Sequence, residues 1–170
     1  MEIILAVLLY TAVGFVAQMI DGALGMAYGV SSNSFLLSVG VPPKLASACV
    51  HLAETFTTGV SGVSHWKLGN VDKDLFKKLI IPGILGAVVG AYILTQIDGN
   101  VIKPWIAGYL VIMGIIILVK ALQYNGEHKE VTSHISIMGL IGGFFDAIGG
   151  GGWGPIVTTT LVARGKNPRF

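Results

Sequence analysis

The 24 residues from Asp21 to Lys44 recur without a gap 125 positions later, as Asp146 to Arg169. In that register Gly14 pairs with Gly139, Asp21 with Asp146, Gly25 with Gly150, Tyr28 with Trp153 and Gly29 with Gly154. Gly40 pairs with Gly165, Pro43 with Pro168 and Lys44 with Arg169. A period this long excludes solenoids and propellers, whose repeats run to roughly 20–50 residues. It points to a duplicated half-molecule, which in an apolar chain is a signature of secondary transporters.

Composition fixes the solvent. The chain is 53% hydrophobic and 12% charged, with a mean hydropathy of +0.75; an ordinary soluble domain is about 25% charged. Apolar stretches run 3–20, 23–41, 45–65, 79–97, 101–122 and 134 onward, most of them near the ~20 residues that cross a bilayer. The fold class expected is an all-α membrane protein, a polytopic helical bundle with inverted repeats and glycine-broken helical hairpins. The first repeat occupies residues 1–125, with a broken hairpin over 1–41 and spans 45–65, 79–97 and 101–122. Residues 134–170 form the opening hairpin of a second, inverted repeat; completing it would take roughly 80 further residues. The N-terminal apolar run has Glu2 where a secretory signal has basic residues, and reads as a retained first span.

The net charge of +2 does not indicate nucleic-acid binding, because the cations lie between spans and report topology. Lys67, Lys73, Lys77 and Lys78 outnumber Asp72 and Asp74 in the 66–78 loop, which is expected to be cytoplasmic. Asp98-Gly99-Asn100 is then external, and 123–133 cytoplasmic. Counting on, the corner holding Arg164, Lys166 and Arg169 falls inside, whereas its counterpart with Lys44 falls outside. The two copies therefore point in opposite directions. The single cysteine, Cys49, reads as a buried inert thiol.

Gly149-Gly150-Gly151-Gly152-Trp153-Gly154-Pro155 cannot be regular helix, since each interior glycine costs about 1 kcal/mol relative to alanine. Irregular backbone at membrane depth survives only where protein buries it or water reaches it. Such breaks expose amide N–H groups at the positive ends of half-helices, which suits an anion. The alternative is that small residues only let helices cross closely. The expected substrate-binding set is Asp21, Gly22, Gly25, Asp146, Gly149, Gly150, Gly151, Gly152 and Trp153. Each aspartate either caps the half-helix after it or titrates as a proton carrier. Whether the hairpins are re-entrant or fully spanning is open at this stage.

Ser47, His51, Glu54, Thr58, Gly62 and His65 recur at helical spacing and share one face of the 45–65 span. His51 and Glu54 are candidates for proton coupling, or else hydrogen-bond between helices as Ser47 and Thr58 are expected to. Gly86 and Gly90 form a packing face, Pro82 is placed in the first turn of its helix, and Trp66 and Trp105 are interfacial anchors. No metalloprotease HExxH, Walker loop or nucleophile elbow occurs. No cofactor or metal is expected, and the chain is not read as an enzyme.

Gly14–Met26, His51–Thr58, His65–Val71 and Phe145–Pro155 together resemble the sulfite exporter TauE/SafE family. The resemblance implies a multi-pass protein of the bacterial inner membrane, built from two related halves and associated with export of sulfite and organosulfonates. The function expected is secondary transport of a small anion; the alternative is a non-transporting structural or assembly subunit. The partners expected are the anion and the lipid bilayer, with no nucleic acid, and self-association into a homo-oligomer is left open.

Overall fold

The computed structural model describes residues 2–122 and 134–163. Helices α1 (Glu2–Leu24), α2 (Tyr28–Ser38), α3 (Pro43–Lys67), α4 (Lys73–Gln96), α5 (Gly99–Leu122) and α6 (Ile135–Gly149) are followed by a π-helical turn, Trp153–Thr158, that runs into α7 (Thr159–Ala163). No strand occurs among the described residues, and α1, α4 and α5 are each long and apolar enough to cross a bilayer. The chain is an all-α membrane protein. The expected cytoplasmic segment 123–133 and the Arg164–Arg169 corner lie outside the described residues.

The hairpins are built from unequal pieces. With 11 residues, α2 is about 16 Å long at 1.5 Å per residue, and the 15 residues of α6 give about 22 Å. Each is shorter than the ~30 Å hydrocarbon core. The first break begins at Gly25, the last residue of the Asp21–Gly25 segment where the sequence places it. Asp21 and Gly22 belong to α1, which continues to Leu24, and the chain leaves the helix at Gly25 with φ +72°.

α6 packs on α4 through glycine. A Cβ on Gly86 would lie 2.0 Å from the Leu140 carbonyl oxygen, one on Gly90 2.5 Å from that of Phe144, and one on Gly143 2.2 Å from that of Gly83. The expected GxxxG face is thus one side of a backbone-to-backbone contact.

Three expectations change. Pro82 lies in the middle of α4, because the Asp72 carboxylate accepts from the N–H groups of Asp74 and Leu75 and starts the helix at Lys73, ahead of its apolar run. The ring removes the hydrogen bond that residue 82 would give the Lys78 carbonyl. The Ser136 hydroxyl of α6 donates to that carbonyl instead, at 3.3 Å. Cys49 is exposed, not buried. It lies in a stripe with the exposed Leu45, Leu52 and Phe56, on a different face from the buried Ala46, Ser47 and Val50. The loop after α3 shrinks to residues 68–72.

The charge argument yields a topology test. With Cys49 replaced by serine, single cysteines at Asn70 and Asn100 are expected to differ in intact cells: a membrane-impermeant thiol reagent labels position 100 and spares position 70. The reverse pattern would invert the orientation.

Candidate functional site

Each aspartate performs two tasks at its break. The Asp21 carbonyl accepts from Gly25 N–H at 2.5 Å, and the Asp146 carbonyl accepts from Gly150 N–H at 2.6 Å. Both glycines adopt the left-handed conformation, φ +72° and +67°, which ends a helix at little cost only for glycine. The side chains then reach forward. Asp21 Oδ1 accepts from Ala27 and Tyr28 N–H at 2.8 and 3.0 Å, and Asp146 Oδ1 from Gly152 and Trp153 N–H, both at 2.9 Å. The acceptor and both donors are related by the same 125-residue offset. Capping, one of the two roles foreseen for these carboxylates, is therefore observed in both copies.

The breaks touch. Gly29 lies so close to the Gly150 carbonyl that a Cβ there would be 1.5 Å from the oxygen, and a Cβ on Gly154 would be 2.8–2.9 Å from Met26 atoms. Side chains from three helices hold the carbonyls around the second break. Ser47 donates to Ala147 at 2.7 Å, Asn33 to Gly149 at 2.6 Å, and Tyr109 to Gly151 at 3.0 Å while stacking on Phe145. These residues position the break.

A cleft of about 530 Å³ opens where the two breaks meet α1 and α3. Of the expected binding set it is lined by Asp21, Gly25, Asp146, Gly150, Gly151 and Trp153. Gly22, Gly149 and Gly152 stand apart from it: Gly22 has open space around it, Gly149 packs on Tyr109, and Gly152 packs on the backbone of Gly142 and Asp146. His51, Glu54 and Thr58 also line the cleft, whereas Gly62 and His65 do not. The sequence reading missed Gln18, Tyr28, Gly29, Val30, Gly154 and Ser61 as lining residues. The pairing of Gly29 with Gly154 and of Tyr28 with Trp153 in the repeat was the available signal for three of them. Gln18, one turn before Asp21, carried none.

The donors and acceptors in the cleft can be counted. In α2 the first intrahelical bond is made by Ser31 N–H to the Ala27 carbonyl, so the N–H groups of Gly29 and Val30 have no helical partner, and Asp21 is occupied by Ala27 and Tyr28. At the second break Asp146 takes the N–H groups of Gly152 and Trp153, and Pro155 has none, which leaves that of Gly154. On the acceptor side, His51 Nε2 lies 3.1 Å from the Asp146 carbonyl, which can only accept, so this nitrogen carries hydrogen. His51 Nδ1 lies 3.1 Å from Glu54 Oε2.

The sequence has known relatives. Residues 10–169 match the model of the sulfite exporter TauE/SafE family. The chain belongs to that family. It is 48% identical to the "Probable membrane transporter protein YtnM" of Bacillus subtilis (strain 168), over 95% of this chain and 56% of that protein. It is 27% identical to "Sulfite exporter TauE/SafE family protein 3" of Arabidopsis thaliana, over 69% of this chain and 24% of the relative. A third relative, "Probable membrane transporter protein ORF9" of Sinorhizobium sp, is also 27% identical, over 82% of this chain and 54% of its own length. The chain thus spans about half the length of two of these relatives and about a quarter of the third. No solved structure matches it.

Proposed function

We propose that this chain carries the substrate site of a secondary transporter that exports a small oxyanion, of the sulfite or organosulfonate class, across the cytoplasmic membrane. One observation carries the reading: two half-helices begin at crossed breaks, and the spare N–H groups of Gly29, Val30 and Gly154 belong to residues that line one cleft. Half-helix N-termini at membrane depth attract anionic groups through their dipoles and unpaired donors. The oxyanion class is supported by the family's name and by the printed name of the plant relative. The opposed orientation inferred for the two copies supports alternating access, with one hairpin rocking against the other.

The repeat supplies the test. Val30 occupies the position that Pro155 holds in the second copy, so Val30→Pro removes one spare N–H at a first-turn position that tolerates proline. A hydrogen bond to a charged group contributes about 1.5–3 kcal/mol. Sulfite efflux from proteoliposomes is therefore expected to need at least roughly tenfold more substrate for half-maximal rate in Val30→Pro. Unchanged kinetics would remove the backbone amides from the site, and no efflux by the unaltered chain would favour the structural-subunit reading.

A further inference from the structure

The lining of the cleft has the wrong charge to hold an anion unaided. Asp21, Glu54 and Asp146 contribute three carboxylates, and no lysine or arginine is among the lining residues described. Gln18 Oε1, in the same cleft, is buried without a hydrogen-bond partner. An uncompensated carboxylate inside a membrane protein is expensive.

Three of these groups converge. One donor atom each from His51, Glu54 and Asp146 lie within 4.8 Å of one another. The histidine can serve as a ligand: its Nε2–H is committed to the Asp146 carbonyl, so Nδ1, which pairs with Glu54 Oε2 at 3.1 Å when it carries a proton, presents its lone pair on the same side when the ring is neutral. Metal-binding histidines are commonly fixed in this way, by donation of the other ring N–H to a carbonyl or carboxylate. Two donors each ~2.1 Å from one ion stand ~3.0 Å apart in octahedral and ~3.4 Å apart in tetrahedral coordination, and the 3.1 Å found here falls in that interval. Asp146 Oδ1 is already taken by two backbone N–H groups, which holds the carboxylate still and leaves Oδ2 to bind.

The geometry points to a divalent metal site formed by His51 Nδ1, Glu54 Oε2 and the Asp146 carboxylate, taking an ion of the manganese-to-zinc series. One imidazole nitrogen with two carboxylate oxygens is a donor set that suits these ions. A divalent charge balances the two carboxylates, where a single proton would leave one uncompensated. The site stands on its own geometry, and it also bears on the proposed transport: a bound cation would offset the carboxylates that face an oxyanion held by the spare amides.

The test uses the full 170-residue chain purified in detergent and stripped with chelator, with Co²⁺ as a spectroscopic probe and Zn²⁺ as its competitor. Saturable binding of one Co²⁺ per chain, with visible d–d absorption and displacement by Zn²⁺, is expected. Glu54→Gln and His51→Gln, of similar shape, are each expected to weaken it by roughly tenfold or more, at or beyond the range for second-shell changes. Circular dichroism and size-exclusion profiles identify folded variants. If His51→Gln misfolds, Glu54→Gln alone decides. Absent saturation, or saturation that a folded Glu54→Gln leaves unchanged, overturns the site. Sulfite binding measured with and without Zn²⁺ is a separate readout, so the transport reading can fail while the metal site stands.

Discussion

Gly29→Ala is expected to dismantle the crossing of the two breaks. The added Cβ would fall 1.5 Å from the Gly150 carbonyl oxygen and 2.6 Å from its carbon. Both are backbone atoms, so no rotamer change relieves the clash. Gly150 cannot easily retreat either, since Asn33 holds the carbonyl before it and Tyr109 the carbonyl after it. Overpacking a well-filled site costs about 1–3 kcal/mol and occasionally more. With fixed backbone on the receiving side the expected loss is about 3 kcal/mol or greater, enough to shift the folded fraction by roughly 100-fold. Gly22→Ala is the control, because its Cβ would meet nothing within 4 Å and it lies inside α1. That change should be neutral, or stabilising by up to about 1 kcal/mol through helix propensity. Thermal unfolding followed by size-exclusion fluorescence in detergent compares the two. A Gly29→Ala protein as stable as the parent would mean that the breaks do not cross where they are placed here.

The breaks could be read in the sequence because the chemistry that makes them is local. An aspartate followed four residues on by a glycine, and then by an aromatic-glycine pair, carries its own helix stop and restart, and the pattern occurs twice. The α3 face was legible for the same reason, since a period of 3.6 residues places Ser47, His51 and Glu54 together whatever surrounds them. What surrounds them was not legible. Cys49 also lies on α3, and only the packing of α2, α5 and α6 against α3 decides that its stripe is exposed. Pro82 was misplaced because the apolar run begins at Leu79, while the helix begins at its cap, Asp72.

The site itself divides in the same way. His51 and Glu54 were paired by spacing, but the third ligand atom comes from Asp146, 92 residues beyond Glu54. Nothing in α3 announces it. Gly149 and Gly152 belonged to a glycine run that looked uniform, and Gly22 to a motif that looked equivalent, yet of the run only Gly150 and Gly151 line the cleft. The others are small because backbone or Tyr109 passes beside them, or, at Gly22, for no reason visible among the described residues. A glycine run therefore marks a break more reliably than it marks which amides meet a ligand.

The two aspartates separate capping from charge, and substitutions at both are expected to diverge in a specific pattern. Asparagine keeps an oxygen that can accept the two backbone hydrogen bonds but carries no charge, whereas alanine removes both bonds. Asp21→Ala and Asp146→Ala each leave two N–H groups of a half-helix unsatisfied. The cost for a lost cap is about 1–2 kcal/mol, with the upper end expected where water is scarce. Asp21→Asn and Asp146→Asn should both fold nearly as the parent does. They should part company on ligand binding, because Asp146 belongs to the three-residue cluster with His51 and Glu54 and Asp21 does not. Asp146→Asn is expected to lose Co²⁺ affinity by roughly tenfold or more while Asp21→Asn keeps it, measured on protein of matched thermal stability. Equal loss in both asparagine variants would show that the cleft senses its total charge rather than a defined ligand set. An Asp146→Asn protein as unstable as Asp146→Ala would show that the cap at the second break needs a charged acceptor, as the positive end of a half-helix with a spare amide demands.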